Sequence, residues 1–335
     1  MARLDVSSFP SVAAANAAWS AGDTLYFPNN AWTAPSGGVV LTGPGEIHME
    51  PGATLAPAVN TDPVIDLQMP AGITDRVWIH GGKLLGGSVA AHTGGYGIKC
   101  ELTSTAVLRN LVIQDLGIAS TGDSGIHMKG NNGGANNFEF PVIKNVMVEN
   151  CWNRGIAWLD GAFSSGGPLT GGIMDTVFIL NNKDWGTLFQ ACQCVFQNCY
   201  WEQNATVSTG AGQCFVSSGE YVFLNPHIED FATSAIASGS DRGIVAQNAH
   251  GLTVWGGGYV NGTEVTSSGT RCAISITAGS GPCHAVVGPG RVSNVTRFIE
   301  VGAGVTKAEI YEQFVVNGSQ PVYDLPTGMH LKRWS

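Results

Sequence analysis

The sequence predicts an all-β chain that winds into a right-handed, single-stranded parallel β-helix of about ten coils. Between about residues 60 and 325, a small residue followed by an apolar residue opens a short alternating run, and this signature recurs every 24 to 33 residues. Its third positions are Ile65, Ile98, Ile126, Ile156, Thr187, Phe215, Ile244, Ile274, Ile299 and Tyr323. Self-similarity at a period of about 20–50 residues indicates a solenoid, a propeller or another repeat array.

A second strand lies earlier in most repeats. Runs such as 46–49, 77–79 and 146–148 alternate with period two, contain β-branched or aromatic residues, and are bounded by Gly, Asn or Asp. The repeats lack sustained apolar spacing at three and four residues, which argues against a helical solenoid. A propeller blade needs about forty residues and four strands, so two or three strands per coil favour a parallel β-helix.

The N-terminal region is predicted to cover the open end of the β-helix, because an exposed sheet edge invites association. Residues 10–21 are Ala-rich and give the one convincing helix of the sequence, with Val12, Ala13, Ala17 and Trp19 available for one face. We therefore divide the chain into an N-terminal cap, residues 1–45, that holds this helix and the first strands, and a parallel β-helix, residues 46–335.

The opening of the chain also resembles a known family. An Ala-rich helix followed by GDTLYFPNNAW, residues 22–32, is similar to the start of the pectate-lyase-like superfamily, which includes phage tailspike proteins. The resemblance covers the opening and, through the repeat, the whole chain. It implies a right-handed parallel β-helix and favours a homotrimer, since tailspike-like β-helices are commonly trimeric. The fold hosts many activities, so the reaction must be argued from individual residues.

Composition restricts the partners. Charged residues make up 12% of the 335 residues, about half of the usual quarter, so the surface is either rich in uncharged polar residues or partly buried between subunits. The net charge of −9 disfavours nucleic acid and other polyanions. No apolar stretch of about eighteen residues is present, so no membrane span is expected.

The N-terminal residues lack the apolar core of a signal peptide, which fits a protein made in the cytoplasm and found in a virion or outside the cell after lysis. The eight cysteines match no metal-binding spacing and are interpreted as inward-facing thiols. The histidines His127, His227 and His250 are scattered, and no metal or cofactor is expected.

Acidic and amide residues recur at one offset from the signature, three positions before its reference residue: Asp123, Asn153, Asp184 and Asp241. One interpretation is a column of Asx turns. The other is catalytic, because Asp123 and Asp184, two coils apart, would lie about 9–10 Å from each other, near the separation in an inverting glycosidase. Residues 122–130 resemble the Gly-Asp-Asp strand of polygalacturonases, which implies a catalytic carboxylate at Asp123 alone, since Ser124 replaces the second acid.

A second set of polar residues follows the earlier strand of successive coils: Asp115, Glu149, Asn181, Glu202, Glu229 and Asp230. Trp152, Trp185 and Trp201 lie in the same stretch, and aromatic faces stack on the apolar faces of sugar rings. Core packing is the alternative for these side chains, and it is the one we expect for Trp158. Arg154 is a candidate cation for substrate binding.

These patterns lead to the hypothesis of a polysaccharide-binding and polysaccharide-degrading β-helix, a glycoside hydrolase or depolymerase acting on a neutral or weakly charged glycan. Asp184 and Glu202 are the first choices for the catalytic acid and base, and the alternates are Glu149, Glu229, Asp230 and Asp123. A non-catalytic carbohydrate-binding adhesin or structural spike is the alternative. A polysaccharide lyase, which needs a cation beside a base, is a second alternative.

Overall fold

A computed structural model confirms the predicted class: the chain is a parallel β-helix. It describes residues 2–87, 94–103, 105–130, 137–160, 169–207, 211–231, 242–260, 272–277, 283–295, 297–302, 305–317 and 321–333. Every strand pairing in these ranges is parallel, and strands away from the sheet ends pair with strands of the coils before and after them. Each full coil contributes to three sheet faces, which we number in chain order from the signature strand.

The first face is formed by the signature strands. In the described residues it contains eleven strands, one more than the ten coils expected from the sequence. They are Val39–Leu41, Ile65–Leu67, Ile98–Glu101, Ile126–Gly130, Ile156–Asp160, Thr187–Gln190, Cys214–Ser217, Arg242–Gln247, Cys272–Thr277, Arg297–Val301 and Val322–Asp324. The register joins Thr187 to Cys214, so the predicted reference position at Phe215 is displaced by one residue.

In some coils a single strand runs through the corner between the second and third faces, so the two faces are continuous there. Their strands are Arg3–Asp5, Thr24–Phe27, Ala31–Thr33, Gly45–Met49, Thr54–Ala56, Gly72–His80, Lys83–Leu85, Ala106–Ala119, Phe138–Glu139, Val142–Glu149, Leu169–Leu180, Cys192–Gln197, Tyr200–Glu202, Glu220–Leu224, His227–Glu229, Gly251–Trp255, Gly258–Val260, His284–Val287, Arg291–Ser293, Lys307–Tyr311, Phe314–Asn317 and Leu331–Lys332. Stacking begins at Arg3–Asp5 and continues across the predicted boundary at residue 46.

The corner between the second and third faces has a left-handed backbone in seven of the described coils. The residues there have positive φ: Gly81, Asp115, Asn145, Thr176, Asn198, Asn225 and Gly256. Gly, Asn and Asp adopt this conformation at low cost, which is why these types recur at the corner. The side-chain amide of Asn145 donates to Asp115 at 2.7 Å, and that of Asn225 donates to Asn198 at 3.1 Å, so corner residues of adjacent coils are also bonded to each other.

The core is a set of apolar stacks along the inside of the helix. Ile98, Ile126 and Ile156 follow one another in register on the first face and are fully buried. All eight cysteines are free and buried, as predicted, and Trp158 is buried as expected. Among the described residues, no helix has the length and hydropathy needed to cross a membrane.

The N-terminal helix is Val12–Ala18, shorter than the predicted 10–21. It begins after Ser11, whose side chain caps it. Val12 and Ala15 are its buried residues, while Ala13 and Ala17, predicted to share the buried face, are exposed.

Asn16 of this helix covers the end of the first face. Its side-chain nitrogen donates to the carbonyl of Val40 at 2.8 Å, and its side-chain oxygen accepts from the N–H of Val40 at 2.9 Å. Val40 belongs to the terminal strand of the first-face sheet. The amide therefore takes the place of a neighbouring strand at this edge, which supports the predicted capping role.

Candidate functional site

The outer surface of the third face presents two parallel columns of side chains, because residues two apart on a strand point to the same side. The register between coils gives the first column as Lys83, Gly117, Met147, Phe178, Tyr200, His227, Gly258, Arg291 and Phe314. It gives the second column as Leu85, Ala119, Glu149, Leu180, Glu202, Glu229, Val260 and Ser293.

A cluster of Tyr200, Glu202, His227 and Glu229 lies at the centre of these columns, and we name it the carboxylate cluster. The hydroxyl of Tyr200 is 2.6 Å from Oε2 of Glu229 and 3.0 Å from Oε2 of Glu202. His227 stacks on Tyr200 with ring centroids 4.7 Å apart, and its Nε2 lies 3.1 Å from Glu229. Two acids that are 27 positions apart in the sequence are thus held around one hydroxyl group.

A tyrosine hydroxyl has a single hydrogen, so it can donate to only one of the two carboxylates. The shorter contact assigns that donation to Glu229. The hydroxyl therefore treats the two carboxyl groups differently, and acid–base catalysis requires two carboxyl groups in different roles.

These contacts also set the electrostatics of Glu229 and Tyr200. The hydrogen bond from Tyr200 and, after the opposing effect of burial, the contact with His227 lower the pKa of Glu229 below its usual value. Burial, followed by the two carboxylate contacts, raises the pKa of the Tyr200 hydroxyl. Tyr200 is therefore a neutral hydrogen-bond donor at physiological pH, and Glu229 is a carboxylate.

Two depressions interrupt the first column at its glycines. The larger, about 680 Å³, lies beside Gly258 and is bordered by His227, Arg291 and Phe314. The smaller, about 320 Å³, lies beside Gly117 and is bordered by Lys83 and Glu149, among others. Between them the rings of Phe178, Tyr200 and His227 form a continuous ladder. A glycine removes the side chain that would fill the column, so each depression follows from the residue type at its coil.

The structure divides the carboxylates that the sequence placed in one set between the third face and the corners. Register joins Glu149 to Leu180, Leu180 to Glu202, and Glu202 to Glu229, so the three glutamates share one column. Glu149 forms an ion pair of 3.2 Å with Lys83.

The other members of that set lie at corners. Asp115 is in the corner between the second and third faces, and Asn181 and Asp230 follow the third face, all three with positive φ. Asp230 accepts a hydrogen bond of 2.9 Å from Gln203, its counterpart one coil earlier.

The column of Asp123, Asn153 and Asp184 lies at the corner before the first face, and its backbone groups bond from coil to coil. Asp123 accepts from Ser124 at 2.8 Å and from Asn153 at 3.1 Å. Asp184 is 3.7 Å from the guanidinium of Arg154. The N–H groups two positions on, those of Gly125 and Gly186, donate to backbone carbonyls of the next coil, so these side-chain contacts do not by themselves form Asx turns. Asp184 and Glu202 were the first choices from the sequence for the catalytic acid and base. In the structure Glu202 shares the Tyr200 hydroxyl with Glu229, whereas Asp184 lies beside Arg154. The fourth member, Asp241, lies outside the described residues.

The three tryptophans predicted to bind substrate differ in their burial. Trp201 is fully buried and its indole nitrogen donates to Thr187 at 3.3 Å, so its prediction as a substrate-binding residue is wrong. The reason is the alternation of the strand, which directs Tyr200 and Glu202 outward and Trp201 inward. Trp152 and Trp185 are half-buried, and Trp185 packs against Phe215 with ring centroids 5.1 Å apart.

A separate group on the second face was missed by sequence reasoning. Glu46, His48 and His80 have side-chain nitrogen and oxygen atoms within 4.8 Å of one another. Burial, followed by the charge of His80, lowers the pKa of His48, and hydrogen bonds from His80 and Thr24 outweigh burial to lower the pKa of Glu46. The sequence signal is a Glu-x-His strand followed by a histidine one coil later.

The chain matches no family model and no curated protein. Among solved structures it is similar to the A-module of mannuronan C-5 epimerase AlgE4 of Azotobacter vinelandii (12% identity, 94% of this chain and all of that one, TM-score 0.46). It is also similar to pectate lyase Pel9A (13%, 90% and 73%, TM-score 0.42) and to PfbA, a surface adhesin of Streptococcus pneumoniae (10%, 97% and 93%, TM-score 0.40). Fold and site together define a parallel β-helix protein with a carboxylate cluster on its third face.

Proposed function

We propose that this protein binds a neutral or weakly charged polysaccharide along the third face and hydrolyses it with Glu202 and Glu229. The observation that carries the proposal is the placement of both carboxyl groups on the hydroxyl of Tyr200. Their Oε2 atoms are separated by no more than the sum of 3.0 and 2.6 Å. This limit lies below the ~6.5–9.5 Å of inverting glycosidases, so of the two arrangements it permits only the retaining one, with ~5–5.5 Å.

The spacing assigns a role to each acid. Glu229, with its lowered pKa, is the nucleophile that attacks the anomeric carbon. Glu202 is the acid that protonates the leaving glycosidic oxygen and then, as a base, takes a proton from the water that hydrolyses the glycosyl-enzyme. This assignment replaces Asp184 by Glu229 in the pair expected from the sequence.

The surroundings favour a glycan over other ligands. The aromatic ladder supplies ring faces for sugar rings, and the depressions at Gly117 and Gly258 provide space at either end of it. Three glutamates in one column repel a polyanion, and the net charge of −9 acts in the same direction.

The test is incubation with a panel of bacterial and plant glycans, followed by assays for new reducing ends and for unsaturated uronates. For a glycan that is cleaved, we expect Glu202→Gln and Glu229→Gln each to lower kcat by about 10²–10⁴-fold, the usual contribution of acid–base catalysis. Glu220→Gln, which neutralises an exposed glutamate on the second face, is the matched control. Full activity in both site variants would refute the assignment, and unsaturated products would identify a lyase.

A non-catalytic carbohydrate-binding protein is the second candidate. It is favoured by the position of the Tyr200 hydroxyl, which already occupies the space between the two carboxylates. Binding of a glycan without release of any product would select this candidate.

Filling a depression tests the location of binding for both candidates. Gly258 has ordinary φ, and an added Cβ would meet only the ring of His227, at 3.1 Å, so Gly258→Leu enters the larger depression once that ring shifts by a few tenths of an ångström. We expect it to weaken glycan binding at least tenfold. Gly251→Leu, at an open position of the second face, is the control. Equal affinity in the two variants would place the glycan elsewhere.

A further inference from the structure

We propose that Glu46, His48 and His80 form a binding site for one transition-metal ion, with Zn²⁺ as the preferred ion. Glu46 and His48 are two residues apart on the strand Gly45–Met49, so both point to the outer side of the second face. His80, the last residue of the strand Gly72–His80, is directly opposite His48 in the register. Two imidazoles and one carboxylate therefore converge on one point of the surface.

The separations suit a metal of this kind. Zinc binds imidazole nitrogen and carboxylate oxygen at about 2.0–2.2 Å, which places tetrahedral ligand atoms about 3.4 Å apart. The three ligand atoms lie within 4.8 Å of one another, and His80 Nε2 is 2.6 Å from Glu46 Oε1. Insertion of the ion therefore requires shifts of roughly 1 Å, which rotation of the side chains supplies.

The chemistry of the ligands selects the class of ion. Calcium and magnesium prefer sites made wholly of oxygen, and two histidines make this set unsuitable for them. Two imidazoles and a carboxylate suit zinc and its neighbours in the first transition row. Three protein ligands leave one tetrahedral position open, as in zinc sites that bind water or a substrate atom.

The surroundings orient the ligands. Thr24 donates from its hydroxyl to Glu46 Oε2 at 2.8 Å, which leaves Oε1 directed toward His80. Trp78 stacks on His80 with centroids 4.2 Å apart, and Tyr26 contacts the edge of His48 at 5.3 Å. Such supporting contacts fix ring orientation in metal sites. A depression of about 340 Å³ lies beside Glu46 and is also lined by Thr24 and Trp78.

The test uses the full chain after removal of metals with a chelator. Calorimetric titration with Zn²⁺ should give one equivalent, and Co²⁺ should give a visible spectrum of nitrogen and oxygen ligands. We expect His80→Gln and Glu46→Gln each to weaken Zn²⁺ binding at least 100-fold. The double variant His250→Gln/His284→Gln removes two exposed histidines of the same face and should change the affinity less than twofold.

Three results would overturn the proposal: no stoichiometric binding, equal binding by His80→Gln, or a sulfur-to-cobalt charge-transfer band, which would place the ion on cysteine. If His80→Gln fails to fold, as judged by its thermal transition without metal, His48→Gln serves in its place. Because the site shares no residue with the carboxylate cluster, Glu202→Gln should bind Zn²⁺ normally. Failure of the glycan hypothesis therefore leaves this inference unaffected.

Discussion

At the scale of single residues, Tyr200 distinguishes two glutamates that the sequence does not distinguish. Both follow an aromatic ring by two positions, Tyr200 before Glu202 and His227 before Glu229. The hydroxyl of Tyr200 reaches across one coil to Glu229, while His227 contacts Glu229 from its own strand. Glu229 is thus held by two partners that favour its charged form.

Removal of this hydroxyl should change the titration of Glu229. In Tyr200→Phe the main contact that lowers the pKa of Glu229 is lost, so we expect that pKa to rise. The acid limb of the pH–activity profile should move to higher pH. The measurement is an NMR titration of the glutamate carboxyl carbons, and Tyr96→Phe, which removes a hydroxyl on another part of the surface, is the control.

The same shift fixes the sign of the pH dependence of stability. The pKa of Glu229 is lowered in the folded state, so its contribution is present above the pKa of the unfolded chain and is lost as pH falls through the folded value. Because the carboxylate is partly exposed, solvent screening keeps that contribution small. An unchanged Glu229 titration in Tyr200→Phe would show that the hydroxyl does not control this carboxylate.

At the scale of the elements, the left-handed corner between the second and third faces explains why Asn and Gly recur in the sequence. Six of the seven residues with positive φ at this corner, among those described, are Gly, Asn or Asp, and the exception is Thr176, with φ of 55°. A β-branched side chain is strained in this conformation.

Thr176→Asn should therefore stabilise the protein by about 0.5–1 kcal/mol, since asparagine adopts positive φ more readily. The loss of the hydrogen bond from Thr176 to Asp175 offsets part of the gain. Chemical denaturation gives the change in the free energy of unfolding. Thr253→Asn, in the middle of the strand Gly251–Trp255, should destabilise instead, because asparagine is disfavoured in strands. Destabilisation by both substitutions would contradict the strain at the corner.

At the scale of the whole molecule, low charge and exposed apolar side chains point to assembly. Ile73, Phe140 and Trp255 are 61%, 53% and 45% exposed, in a chain with only 12% charged residues. Contact between subunits would bury side chains of this size. The prediction of a homotrimer remains our proposal.

Light scattering after size-exclusion chromatography should give about three times the 34.9 kDa of one chain. A mass of 34.9 kDa at all concentrations would refute the trimer. A virion or a lysed culture remains the proposed location, and detection of the chain in purified particles would support it.

Some features of this protein depend on residues within one coil, and others depend on contacts between coils. The period and the alternation within strands were sufficient for the parallel β-helix, for the stacked isoleucines and for the buried cysteines, because these depend only on residues within one coil. The same alternation accounts for the burial of Trp201, because Trp201 lies between Tyr200 and Glu202, whose side chains point outward.

Contacts between coils depend on coil length, and coil length varies. Register joins Leu180 to Glu202 over 22 residues but Glu202 to Glu229 over 27, and the displaced position at Phe215 lies within this irregular stretch. The sequence by itself therefore determined the kind of fold and which residues face outward. Only the tertiary structure decided that Glu202 meets Glu229 at Tyr200 and that His80 meets Glu46 and His48. Loops of different length between strands set the register, and the register determines which distant side chains become neighbours.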